Sequence, residues 1–174
     1  DITISSGDTT GTASFTPTDD NLYETSTDET ATVSITGVSG GSATESGSQS
    51  VTLTIEENES APTVTLSTSA TSIDENSGSV LTLTATLSVA TTADVTVTIA
   101  TSGTATEGTD YTDGSGNIDD LVITAGNTTE TISFKPTDDS VYEGDETATV
   151  SISGVSGGEA TESGTQAVSI TVSE

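Results

Sequence analysis

Apolar residues in this chain alternate with small polar ones and do not recur at helical spacing. Val80 to Leu87 reads VLTLTATL, Val95 to Ile99 reads VTVTI, Ala148 to Ile152 reads ATVSI and Val168 to Val172 reads VSITV. A period of two, rich in β-branched residues, is the signature of strands buried on one face. No stretch predicts a helix of useful length. Clusters of Gly, Ser, Asn and Asp punctuate the strands as turn formers. The pattern predicts seven strands after Pro62: A over 63–73 with a break at Ser67–Ala70, B over 80–87, C over 94–101, D over 120–124, E over 129–135, F over 146–153 and G over 166–172. So many short strands separated by turns within about 110 residues predict an all-β fold, a seven-stranded antiparallel β-sandwich of Ig-like type.

The pattern is also duplicated. Residues 15–47 read FTPTDDNLYETSTDETATVSITGVSGGSATESG, and residues 134–164 read FKPTDDSVYEGDETATVSISGVSGGEATESG. Phe15 matches Phe134. After an insertion at Thr25–Thr27 opposite Gly144, Glu29 matches Glu146. A period of about 120 residues is a whole domain, so the chain reads as part of a tandem array. Residues 63–174 form the complete module, residues 58–62 a short linker stiffened by Pro62, and residues 1–57 only the C-terminal half of a module. That half is expected to supply four strands, near 1–5, 11–16, 29–36 and 49–55, with an apolar face left to be covered. A chain that opens at Asp1 on half a module is expected to be a window on, or a processed product of, something longer.

Charge narrows the chemistry. The chain carries 28 acidic residues and one basic residue, Lys135, for a net charge of −27, with no His. Nucleic acid and anionic membrane surfaces need Lys and Arg, so neither is an expected partner. No apolar run reaches membrane-spanning length, and no membrane insertion is expected. The absence of Cys removes both disulfides and thiolate metal sites. With no His or Cys there is no ordinary catalytic triad, and three Tyr, two Phe and no Trp make a poor sugar platform for a carboxylate-pair glycosidase. The chain reads as a non-enzyme.

Strand direction says where the acids go. If successive strands alternate, the end reached by strand A receives Glu75, then Glu107 and Asp110 after strand C. It also receives Asp138, Asp139, Glu143, Asp145 and Glu146 between strands E and F, and Glu174 after strand G. Four distant segments thus send carboxylates to one rim. Carboxylates repel at short range, and a hard cation reverses the sign of that interaction. Ca²⁺ takes about 6–8 oxygen ligands in flexible geometry, whereas Mg²⁺ demands a tight octahedron and Zn²⁺ prefers His and Cys. Ca²⁺ is the expected ion.

The strings TSGTATEGTDYT at 101–112 and TDDSVYEGDETATVSI at 137–152 resemble the Calx-beta module of exchanger regulatory domains and large bacterial surface proteins. The resemblance covers 62–174 in full and 1–57 as a C-terminal half. It implies a seven-stranded sandwich that binds Ca²⁺ through acids at one end. By position, the implied ligands are Glu75, Asp110, Asp138, Asp139, Glu143, and Glu146 or Asp145. The matching first-copy acids are Asp19, Asp20, Glu24 and Glu29, with Glu56 and Glu57 after the last strand. The first copy has no match for Glu75 or Asp110.

Tyr23 and Tyr142 fall where strand E turns into strand F, where a Tyr is expected to pack under the turn and hydrogen-bond the backbone. Lys135 reads as an ordinary surface lysine. The functional expectation is a calcium-binding structural repeat of a long extracellular or cell-surface adhesin or matrix protein. Its partners would be neighbouring modules of the same chain or identical subunits. Two alternatives are a filament subunit whose half-module is completed by a neighbour, and a regulatory calcium sensor.

Overall fold

The structure is a computed structural model, and it describes residues 1–24 and 26–174; Thr25, within the first copy's insertion, lies outside the described residues. In chain order the strands are β1 (Leu22–Tyr23), β2 (Glu29–Ser34), β3 (Ser50–Ile55), β4 (Thr63–Thr68) and β5 (Ser72–Asp74). After a 3₁₀ turn at Glu75–Ser77 come β6 (Leu81–Leu87), β7 (Ala90–Thr91), β8 (Val95–Gly103), β9 (Tyr111–Thr112) and β10 (Leu121–Ile123). The chain finishes with β11 (Thr129–Pro136), β12 (Glu146–Ser156), β13 (Thr161–Glu162) and β14 (Ala167–Ser173). The contacts divide these into two compact units, one of residues 1–20 and 30–55, the other of residues 21–29 and 56–174.

The larger unit is an all-β sandwich. One sheet runs β10-β8-β12-β14-β5 and the other β13-β4-β6-β11-β9. Alternation decides what each strand buries. In β6, Leu81, Leu83, Ala85 and Leu87 are buried and the threonines between them are not. Val95 and Val97 of β8, Ala148, Val150 and Ile152 of β12, and Ile170 and Val172 of β14 face the same core. Phe134 of β11 and Tyr111 of β9 stack with ring centroids 4.5 Å apart, at the end of the core below the acidic loops.

Strand A of the sequence reading divides where the chain changes sheets. Its first part, β4, pairs antiparallel with β6, and its second part, β5, pairs parallel with β14. The gap is held by Ser69, whose N–H donates to the Thr82 carbonyl while its hydroxyl accepts from the Thr82 N–H. Gly103 ends β8 at φ +126°, and a Cβ there would lie 2.0 Å from the Thr147 carbonyl oxygen. Only glycine lets the chain turn so closely over the start of β12, which carries 104–110 toward Glu146.

In the smaller unit β2 and β3 form a two-stranded sheet. Segments 1–5 and 11–16 do not form the strands expected of them; both are irregular. Pattern alone gives a segment strand propensity, but a ladder needs neighbours to pair with and a face to bury. Ile2, Ile4, Phe15, Val33, Ile35 and Val51 are correspondingly exposed. The duplicated turn is nevertheless built alike in both copies. The Gln49 N–H donates to the Glu45 carboxylate as the Gln166 N–H does to Glu162, and the Ala43 N–H reaches the Gly40 carbonyl as Ala160 reaches Gly157.

The two phenylalanines occupy matching sequence positions in unlike surroundings, Phe134 fully buried and Phe15 49 % exposed. Phe134→Ala is expected to destabilise the chain by about 3–5 kcal/mol in urea unfolding. Phe15→Ala is expected to change it by no more than about 0.5 kcal/mol.

Candidate metal centre

Three carboxylates meet at the end of the sandwich where β5 and β14 finish and β9 and β12 begin. Ligand oxygens of Asp110, Glu143 and Glu146 lie within 4.8 Å of one another. Glu75 and Glu174 line the same shallow concavity, with Gly144 and Val172 between them.

Each side chain has a distinct anchor. Asp110 sits in a turn whose N–H donates to the Thr106 carbonyl, while its carboxylate accepts from the Thr106 N–H. The next residue, Tyr111, pairs with Pro136 and stacks on Phe134, so the core fixes the loop. Glu146 opens β12 opposite Val172 of β14. Glu143 donates its N–H to the Glu174 carboxylate at 3.1 Å. Glu75 accepts from the Asp139 N–H at 3.1 Å, and Asp139 in turn accepts from the Val141 N–H at 2.6 Å.

The donors to these carboxylates are backbone amides, and among the described residues no cation faces the group. The consequence is a raised carboxyl at several of these acids. Partial burial raises the Glu146 carboxyl, and its contact with Asp110 together with repulsion from Asp110, Glu143 and Glu75 raises it further. Glu143 is raised by desolvation and then by Asp110, Asp139 and Glu174. Glu75 is raised by desolvation and by Glu174 and Asp139, against a lowering contribution from the Asp139 N–H. A cluster that folding pushes toward protonation is one that a multivalent cation would relieve. Its donors are all carboxylate oxygens, which suits a hard ion such as Ca²⁺ and gives Zn²⁺ none of its preferred nitrogen or sulfur.

The other sequence candidates fall elsewhere. Asp138 and Asp145 are exposed and outside the three-carboxylate group. Glu107 is turned away from the rim, where its carboxylate accepts from the Thr101 hydroxyl and the Ile118 N–H and staples its own loop. Glu174 was legible only as the residue that strand G delivers to this end. In the first copy, Asp19 and Asp20 belong to the smaller unit, and Glu24, Glu29, Glu56 and Glu57 to the larger. No comparable group of three forms from them among the described residues. Glu57 accepts from the Glu24 and Glu59 N–H groups, which lower its pKa.

The sequence profile of the Calx-beta domain matches residues 57–173. A search of curated proteins finds no match to this chain. Among solved structures, the apo-form Calx CBD1 domain is similar with a TM-score of 0.50 and 18 % identity, over 63 % of this chain and 96 % of that one. The CBD12 structure from CALX1.2 is similar with a TM-score of 0.49 and 19 % identity, over 59 % of this chain and 40 % of that one.

The pKa directions set a pH dependence for the metal-free protein. A carboxyl raised above its ordinary value of 4.5 in the fold contributes stability that is fully present below that value. The contribution is lost as pH climbs through the raised one. In EGTA, Tm is therefore expected to fall as pH rises above that ordinary value, and calorimetry of Glu146→Gln should show a smaller fall. An equal fall in wild type and variant would place the effect elsewhere. With the β-sandwich, the acid rim and the profile match in place, the chain belongs to the Calx-beta domain family.

Proposed function

We propose that this chain is a non-catalytic, calcium-binding structural repeat of a long extracellular adhesin or matrix protein, in which Ca²⁺ stiffens module ends and joints. The observation that carries the reading is the convergence of Asp110, Glu143 and Glu146, with no counter-charge against them among the described residues. Those three residues would hold the ion, with Glu75 and Glu174 beside them. Bound calcium supplies charge neutralisation and a crosslink between loops that are far apart in sequence.

The position of the site supports a role at joints. Glu174 follows the last strand of the complete copy, and its sequence match in the first copy, Glu57, stands directly before the linker at 58–62. An ion held there would tie the loop before strand F to the exit of strand G, leaving less freedom to whatever follows. The duplicated sequence and the bulk acidity favour construction over signalling, and a surface with one basic residue suits an aqueous, calcium-rich exterior.

A second reading rests on the exposed apolar residues Ile2, Ile4, Phe15, Val33 and Val51. In it the chain is a filament subunit, and the first copy is completed by strands from a neighbour. Light scattering separates the two. A mass equal to one chain across a wide concentration range supports the spacer, and growth with concentration supports the filament.

Calcium titration tests the leading reading. Isothermal calorimetry should detect binding, and Tm should rise on adding Ca²⁺ to the EGTA-treated protein. Glu146→Gln or Asp110→Asn should raise Kd at least about tenfold, since each removes a charged partner from a crowded site. Asp145→Asn should change it little. Absence of heat and of any Tm change would defeat the proposal.

A further inference from the structure

We infer that the loop around Tyr142 is a docking surface, and that its partner is the opposite end of another module of this same kind, with Glu159 of that module receiving the Tyr142 hydroxyl. The inference draws on the tandem repeat but not on calcium.

The argument starts from two copies of one loop in unlike states. Asn21-Leu22-Tyr23-Glu24 matches Ser140-Val141-Tyr142-Glu143. Tyr23 is 2 % exposed and Tyr142 is 85 % exposed. Neither packs under its own turn in the way the sequence suggested. The Tyr23 hydroxyl instead donates to the Glu159 carboxylate at 2.5 Å, a residue 136 positions away.

The seat for Tyr23 is specific. β1 pairs parallel with β7, Leu22 opposite Ala90 and Tyr23 opposite Thr91. The Thr92 N–H donates to the Tyr23 carbonyl at 3.1 Å, and the Thr92 hydroxyl donates to the Glu24 carbonyl at 3.1 Å. Ser26 adds two more donors to the Glu159 carboxylate, its N–H and its hydroxyl, each at 3.1 Å. These bonds lower the Glu159 carboxyl, the Tyr23 hydroxyl most of all.

Glu159 occupies the left-handed region at φ +52°, a conformation that favours glycine. Its first-copy match Ser42 holds the same backbone at φ +57°, so the turn sets the conformation, and what this copy adds is a carboxylate placed to meet the tyrosine. Gly158 beside it leaves the space, because a Cβ there would lie 2.9 Å from the Thr91 hydroxyl.

The Tyr142 loop is already held as the Tyr23 loop is. The Glu24 N–H donates to Glu57, and the Glu143 N–H donates to Glu174, the sequence match of Glu57. Val141, in the place of Leu22, is 58 % exposed, so the apolar residue that would pair with Ala90 of an incoming module is also uncovered. The loop therefore presents the same tyrosine and glutamate, pinned by the same bond, with Val141 for Leu22; Ser26 falls in the Thr25–Thr27 insertion and has no counterpart in it, so the Tyr142 hydroxyl is the donor it offers to Glu159.

The test appends residues 58–174 after Glu174 of the full chain, with Tyr142→Phe in the appended copy so that one Tyr142 remains. Nitration by tetranitromethane is followed at each tyrosine by mass spectrometry, in EGTA and again in Ca²⁺. In the chain without the addition, Tyr142 should react faster than Tyr23. In the extended chain Tyr142 should react at least about tenfold more slowly, in either buffer. Glu159→Gly in the appended copy, which suits the left-handed backbone while deleting the carboxylate, should restore the rate. Equal Tyr142 rates in both chains, with and without Ca²⁺, would overturn the inference, as would protection that survives Glu159→Gly. Protection in EGTA from a protein that binds no calcium would uphold the latch while removing the proposed function.

Discussion

Uncompensated repulsion among carboxylates at one end of the sandwich is the constraint to which the rest of the structure answers. With 28 acids and one lysine, the chain has no means of neutralising its rim from within. What it has is a scaffold stiff enough to hold the acids together. The Tyr111–Phe134 stack fixes the turn that carries Asp110, and the β12–β14 ladder fixes Glu146. The remaining acids are positioned by peptide N–H groups, which contribute a hydrogen bond without contributing a charge. A lysine in their place would satisfy the rim permanently and leave nothing for an added cation to do. The core thus supplies the work of assembling the cluster, and the cluster keeps its demand for a counter-ion.

The two ends of the larger unit treat the same side chain in opposite ways. Glu143 and Glu146 lie among other acids and are raised, whereas Glu159 lies among hydroxyl and amide donors and is lowered. Sequence context does not separate them, since each follows a glycine or sits near one in a turn. Their neighbours in space do. One end favours the ionised glutamate as an acceptor and the other disfavours it until something positive arrives.

That contrast also explains which features were legible in the chain. The strands of the complete copy follow from period-two alternation, because each buries one face and a slip of one residue would expose it. Strand direction carried Glu75, Asp110, Glu143, Glu146 and Glu174 to a common rim, because direction depends only on counting reversals. It could not separate Asp145 from Glu146, adjacent residues that a loop turns differently, nor see that Glu107 would be consumed by Thr101 and Ile118. Segments 1–5 and 11–16 alternate as well as any strand but remain irregular, since pairing is a property of neighbours and not of the segment. The role of Tyr23 was hidden for the same reason: its partner lies 136 residues away, and nothing local announces it.

The duplication is close enough that its departures carry information. Ser42 is the sequence match of Glu159, and it holds the same left-handed backbone, at φ +57° against +52°. The turn is therefore conserved between copies as geometry, while the group it presents differs. Serine offers a hydroxyl that neither attracts a phenol as strongly nor reaches as far as a carboxylate. The two copies thus present unlike side chains from one turn geometry, and under the docking inference a tyrosine hydroxyl would distinguish them by that one side chain.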